Sequence, residues 1–393
     1  MTFVAVLYAD DYPLAVVDSL VSQADDSSPG VWTPLLATPD ARSASGSKPV
    51  GLGRKFWLLP DRSIFLYAGT IGSARKLFDY LSEGLSSTNR YDYEAHRHAV
   101  EFRQRRTPSN FSFLVITRAN ENFDVYADGL VSREEIPSYG RVVAIGSGAA
   151  EGLKLLRQYS GAVPDSEDAM NGNALNAAAR LTLDYKDDWG SGSKMSAASC
   201  GGYFEVVPPL LYEKSYEFLY RNTAHVFLSG DREGITLSRF IVANQRDTET
   251  VVLVANDLSV PVDDYGFSID CAPLRKYTIR ENRRESDLGV PFDGQLSFGN
   301  ITFLVIYASG IPECGLEEHA FRMQSLSLRG GQPVALLFED DSPDMIGPAD
   351  DIGAGPGRLV FEIMPGRHPS PLGRMCDRMY AAMICQRCIT RAS

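Results

Sequence analysis

Strand-sized apolar runs and helix-period stretches come in groups along the first half of this chain, and that grouping most limits the folds open to it. Residues 1–7 and 14–17 read as two strands joined by a turn at 9–13, with Asp18 where the second strand ends. Strands over 55–59 and 63–67 turn at Pro60 and Asp61. Ala74, Leu77, Phe78, Leu81 and Leu85 then recur at helical spacing, and a second helix is expected over about 91–105, its polar side carrying Glu94, Arg97, Glu101 and Arg103. Strands follow at 113–117 and 124–126 about a turn at Asn120 and Asn122, and again at 142–145. A helix through Leu156, another over 174–185 and a strand at 203–206 complete the series. A doubly wound parallel sheet needs strands and helices in alternation. This grouped order suits α+β packing instead, with helices covering paired sheets.

Between 22 and 49 the composition changes to Ser, Ala, Gly, Pro and Asp, which lose backbone entropy on ordering and bury little apolar surface. That stretch reads as an inserted loop. Pro208 and Pro209 open a second region with strand candidates at 225–228, 239–243, 251–255, 301–307, 334–338 and 359–363, and a terminal segment over 372–389 that reads as helical. The expected domains are therefore 1–206 and a β-rich 207–393.

The chain has 393 residues, a formal charge of −12 and 44% hydrophobic residues, enough for one large core or two ordinary ones. No apolar run reaches the roughly 18 residues of a membrane span, so no membrane partner is expected. The acidic balance disfavours a broad nucleic-acid surface. The start lacks the basic and apolar blocks of a secretory peptide, and 6 cysteines are too sparse for a disulfide scaffold; both point to a reducing, cytoplasmic setting. His96 and His98 are two residues apart on a helix and do not share a face, and Cys385 and Cys388 have no second compact pair, so no metal site is expected.

Thr2 carries the chemical signal. If the initiator methionine is removed, a terminal threonine brings its own base, because an α-amine with a pKa of about 8 lies beside its hydroxyl. Phe3, Val4, Ala5 and Val6 follow it, and Leu14, Ala15, Val16, Val17, Asp18 and Ser19 come after the turn. Further on stand Gly53, Arg54 and Lys55, then Tyr67, Ala68, Gly69, Thr70, Ile71 and Gly72, and then Ile145, Gly146, Ser147 and Gly148. In this order the segments resemble the proteasome β-subunit and its bacterial relatives, the HslV-type peptidases and the Anbu family, all N-terminal-nucleophile hydrolases. The resemblance covers residues 2 to about 206.

The resemblance implies a four-layer αββα sandwich, and amide hydrolysis through an acyl-enzyme in which Thr2 is the nucleophile. Lys55 would be the cation beside its hydroxyl and Asp18 the carboxylate holding that lysine. Ser147 would help orient the terminal amine, and the Gly69 N–H would be the oxyanion donor. Tyr67 and Ile71 match positions that line the substrate pocket. The resemblance also implies a threonine-dependent peptidase acting on peptides or unfolded proteins, a homo-oligomeric ring or spiral, an unfoldase or adaptor as partner, and no cofactor. On this reading Lys55→Ala is a purely catalytic lesion.

Two features depart from the pattern. The interval between Asp18 and Lys55 is long, and Ala197 stands where an acidic residue is expected just before Ser199, Cys200, Gly201 and Gly202. Asp184, Asp187 and Ser199 are the accessory candidates for that position. The alternatives are a non-proteolytic N-terminal-threonine amidase and a catalytically inactive ring or scaffold subunit.

Overall fold

The computed structural model describes residues 2–9, 12–23, 48–86, 88–107, 111–119, 122–159, 174, 177–178, 181, 200–207, 221–230, 235–245, 249–255, 258–261, 266–270, 274–280, 287–291, 303–309, 334–339 and 358–362. The fold is mixed α/β, rich in strands and with few helices. Contacts divide the chain into two units, Met1–Phe218 with Ile279–Leu288, and Leu219–Thr278 with Gly289–Ser393.

In the first unit the strands are β1 Val4–Ala9, β2 Tyr12–Asp18, β3 Leu20–Gln23, β4 Lys48–Leu52, β5 Phe56–Leu58 and β6 Ile64–Gly69. Helices α1 Ile71–Gly84 and α2 Tyr93–Arg106 follow, then β7 Phe111–Ala119, β8 Asn122–Asp128, β9 Val131–Ile136, β10 Gly140–Ile145, α3 Ala149–Tyr159 and β11 Phe204–Val207. A five-stranded sheet runs β11-β2-β1-β10-β9 and a four-stranded sheet β5-β6-β7-β8, while β3 and β4 pair separately. The expected loop over 22–49 therefore has strands at both ends; residues 24–47 lie outside the described residues. Strand β9 was not expected, because Val-Ser-Arg-Glu-Glu-Ile has the polar alternation of a sheet edge and not an apolar run.

The period of two along each strand sorts the side chains. Val4, Val6, Ala15, Val17, Val143 and Ile145 of the five-stranded sheet join Ile64, Leu66, Ala68, Leu114 and Ile116 of the four-stranded one in a single buried cluster. The alternate residues of β6 and β7, Phe65, Tyr67, Phe113 and Val115, join Ala74, Leu77 and Leu81 of α1 and Ala99 of α2. In α1 the buried positions follow the predicted helical spacing. Ala174, Ala177, Ala178 and Leu181 are helical and buried, at the spacing predicted over 174–185.

In the second unit and its flanks the strands are β12 Arg221–Gly230, β13 Ile235–Gln245, β14 Glu249–Ala255, β15 Val260–Pro261, β16 Gly266–Asp270, β17 Arg275–Arg280, β18 Asp287–Pro291, β19 Phe303–Ser309, β20 Val334–Glu339 and β21 Arg358–Glu362. An eight-stranded sheet runs β18-β17-β14-β13-β12-β19-β20 with β15 against β13; β12 and β19 are parallel within it. The segment 372–389 lies outside the described residues.

Helix α2 is fixed at its N-terminus. The Asp92 side chain accepts from the Ala95 N–H at 2.9 Å, and the Tyr91 N–H donates to Asp61 at 2.6 Å. His96 lies behind this cap, 3.1 Å from the Tyr91 hydroxyl, with its ring 5.1 Å from Tyr126 and 5.8 Å from Phe113. Burial lowers its pKa below the ordinary value of 6.5, and the charge of Asp128 only partly opposes this. The folded state thus holds His96 neutral where the unfolded chain begins to protonate it, so stability present above that value is lost as pH falls through it. We expect the melting temperature to drop between pH 7 and about 5.5, and the drop to be smaller in His96→Gln. Thermal melts of the two proteins across that range check this.

Candidate active site

The first polar residue after the apolar run of β2 is Asp18, and it is 1% exposed. A carboxylate so buried must be compensated by donors. Its Oδ1 accepts from the Phe3 N–H at 2.8 Å, and its Oδ2 accepts from Lys55 Nζ at 2.7 Å and the Gly201 N–H at 3.2 Å. The Asp18 N–H in turn donates to the Phe3 carbonyl at 3.1 Å. One side chain thereby holds the head of β1, the lysine of another segment and the approach to β11.

Lys55 is 3% exposed. Burial pulls its pKa below the ordinary lysine value; the charge and hydrogen bond of Asp18 oppose this, as does the nearby Cys200 thiol. Its segment is held at each residue. The Gly53 N–H donates to the Ser19 carbonyl at 2.8 Å, the Tyr67 hydroxyl to the Arg54 carbonyl at 2.7 Å, and the Tyr67 N–H to the Lys55 carbonyl at 3.0 Å.

Thr2 is 3% exposed and enters β1 beside the turn that ends β10, with its carbonyl accepting from the Gly148 N–H at 3.2 Å. Gly146 in that turn has φ +100°, and a Cβ there would collide with the Thr2 carbonyl oxygen and lie 3.1 Å from the Cβ of Ala68. The end of β6 is thus brought to Thr2. Gly69 follows Ala68, is exposed, and has φ 109°. Ser147 is exposed at the tip of the same turn.

The structure brings Thr2, Asp18, Lys55, Ala68 with Gly69, and the Gly146–Ser147–Gly148 turn to one end of the two sheets. The two expected pocket residues pack on the helix side of the four-stranded sheet. Tyr67 is 2% exposed, with its ring 4.5 Å from that of Trp57, and Ile71 is half-buried against the same helix-side cluster. Asp184, Asp187, Ala197 and Ser199 lie outside the described residues.

Several participants went unassigned from sequence. Gly201 supplies a donor to Asp18, and Ser19 Oγ accepts from the Tyr203 N–H at 2.8 Å. Arg54 and Glu205 form a second buried ion pair, Nε to Oε1 3.6 Å. Glu205 was detectable as the single charge inside the apolar stretch 203–207. Among the described residues no group of three or more His, Cys, Asp or Glu could hold a metal ion. No described helix is long and apolar enough to cross a membrane.

What this set can do follows from its charges. A buried ammonium held by a carboxylate stabilises negative charge developing on a neighbouring oxygen, and a lysine whose pKa is already lowered can also exchange a proton. A backbone N–H at the exposed end of a strand can serve as an oxyanion donor.

Three outcomes are expected. Gly146→Ala meets both a left-handed backbone and the Thr2 carbonyl, and should destabilise the first unit by about 2 kcal/mol or more, read by denaturant unfolding. Lys55→Ala leaves the Asp18 carboxylate buried without its cation and should cost about 3–5 kcal/mol. The lesion expected from sequence to be purely catalytic is therefore structural as well. Asp18→Asn in the Lys55→Met background should recover most of that loss, since both charges are then gone.

A scan against protein-family models finds no match, and a search of curated proteins finds none. Among solved structures the chain is similar to the Anbu (Gly-1) mutant from Hyphomicrobium sp. strain MC1, at 12% identity and a TM-score of 0.32, over 53% of this chain and 81% of that one.

Proposed function

We propose that this chain is an N-terminal-nucleophile hydrolase whose nucleophile is Thr2, exposed by removal of Met1, and that it cleaves peptide amide bonds through an acyl-enzyme ester. The observation that carries this reading is the seat of Thr2. It lies at the head of β1, with its own carbonyl on Gly148 and the next N–H on the carboxylate that also holds Lys55. Such a terminus needs no histidine, because the α-amine takes the hydroxyl proton and later returns it to the leaving amine. Lys55 stabilises the developing alkoxide, Asp18 keeps the lysine in place, and Gly69 donates to the tetrahedral oxyanion. The buried cluster shared by the two sheets, with α1 and α2 on one outer face, supports an αββα sandwich as the scaffold.

The proposal extends to assembly: a homo-oligomer encloses the sites, so that only peptides or unfolded segments reach them. The expected test compares purified wild type, Thr2→Ser and Thr2→Ala in fluorogenic peptide turnover, with light scattering on each. Thr2→Ser keeps hydroxyl and amine and should retain measurable turnover. Thr2→Ala keeps only the amine and should fall by roughly 1000-fold or more. Peptide turnover by Thr2→Ala at the wild-type rate contradicts the nucleophile, and a monomer at all concentrations contradicts the assembly.

A further inference from the structure

The N-terminal residues of this chain enter a strand in the middle of a sheet. β1 lies between β2 and β10, so Val4 pairs with Val17 on one side and with Ile145 on the other. A terminus frays readily unless such pairing ties it down, and here the ties extend to the two residues before Val4. The Phe3 N–H donates to Asp18 Oδ1 at 2.8 Å and the Phe3 carbonyl accepts from the Asp18 N–H at 3.1 Å, while the Thr2 carbonyl accepts from the Gly148 N–H at 3.2 Å. Phe3 is 0% exposed. Its ring lies against the backbone of α3, where a Cβ on Gly152 would collide with it, and its centroid is 6.1 Å from that of Phe204.

This anchoring bears on how Thr2 becomes a terminus. Removing Met1 hydrolyses the Met1–Thr2 amide: water adds, free methionine leaves, and the Thr2 nitrogen takes up a proton to become the α-ammonium. An aminopeptidase closes its pocket around the scissile amide, so Thr2 must come away from Gly148 and Phe3 must follow. Lifting Phe3 exposes its ring and takes from Asp18 one of the three donors that so buried a carboxylate needs. Cleavage of a folded chain tracks the population of its open form, and that population is small when opening breaks contacts of this kind. Nor is the chemistry proposed for Thr2 at hand to remove Met1, because the α-amine that serves as its base is still acylated.

We propose that Met1 is removed only before β1 docks, by a methionine aminopeptidase acting on the unfolded N-terminus, and that a chain which folds with Met1 in place is locked inactive. The inference rests on the Thr2 reading for the loss of activity, but the loss of Met1 is read as a mass and needs no activity. Processing and folding compete once, and the burial of Phe3 ends the competition.

The test starts from full-length chain that retains Met1, made by reconstituted translation with a deformylase and no methionine aminopeptidase. Purified methionine aminopeptidase is added to the folded chain and to the same chain as it is diluted from denaturant, with a peptide of residues 1–12 as the unhindered standard, and intact mass follows Met1. The folded chain should lose Met1 at least roughly 100-fold more slowly than the peptide. The diluted chain should lose it in a fraction that stops growing once folding is complete. Phe3→Ala, shown by thermal melting to be folded in the assay, should lose Met1 faster than folded wild type; if it does not fold, Phe3→Leu takes its place. Loss of Met1 from folded wild type at the rate of the peptide overturns the proposal, as does loss with no aminopeptidase present, or a folded Phe3 variant no faster than wild type. An electrophilic peptide probe separates this inference from the reading beneath it: processed and refolded chain should be labelled at Thr2, and Met1-bearing chain should not. If neither is labelled while Met1 loss follows the expected pattern, the Thr2 reading fails and the timing of Met1 removal stands.

Discussion

The buried contact between Asp18 and Lys55 is the interaction on which the rest of the first unit depends. Neither charge can be left alone at that depth, so the three donors on Asp18 are obligatory, and each comes from a different stretch of chain. Meeting that requirement fixes the head of β1, the segment before β5 and the approach to β11 at one point. A charge pair that contributes little net stability can still decide where three segments must be, since any other arrangement strands a buried ion. The geometry that Thr2 inherits follows from this.

The glycines at the site have a different cause. Gly146 is needed because the turn after β10 passes against the Thr2 carbonyl in a conformation that other residues adopt only under strain. The same close approach brings Ala68 to Thr2 and puts Gly69, at the exposed end of β6, where a substrate backbone could meet its N–H. Asp18 and the Gly146 turn therefore come from one sheet, while Lys55 and the candidate oxyanion donor stand at strand ends of the other. The site exists only while the two are packed together.

Much of this was legible in the sequence because it is local. The apolar runs before Asp18, the helical spacing of Ala74, Leu77 and Leu81, and the Gly-Ser-Gly turn each follow from a few neighbouring residues. What was hidden depends on parity and on distant partners. The faces of β6 are one case: alternation sends Leu66 and Ala68 toward the other sheet and Phe65 and Tyr67 toward α1, a parity that a motif does not give. Strand β9 was hidden because an edge strand can be polar on both sides of each apolar residue. Arg54 and Glu205 are far apart in sequence, and nothing near either one names its partner.

The nucleophile is identified by the residue to which an electrophilic peptide probe attaches in the wild-type protein, found by digestion and tandem mass spectrometry. A chain lacking Met1 and a single adduct on Thr2 are expected. An adduct on Cys200, the buried thiol beside Lys55, or an adduct elsewhere with Met1 retained, would contradict Thr2 as the nucleophile.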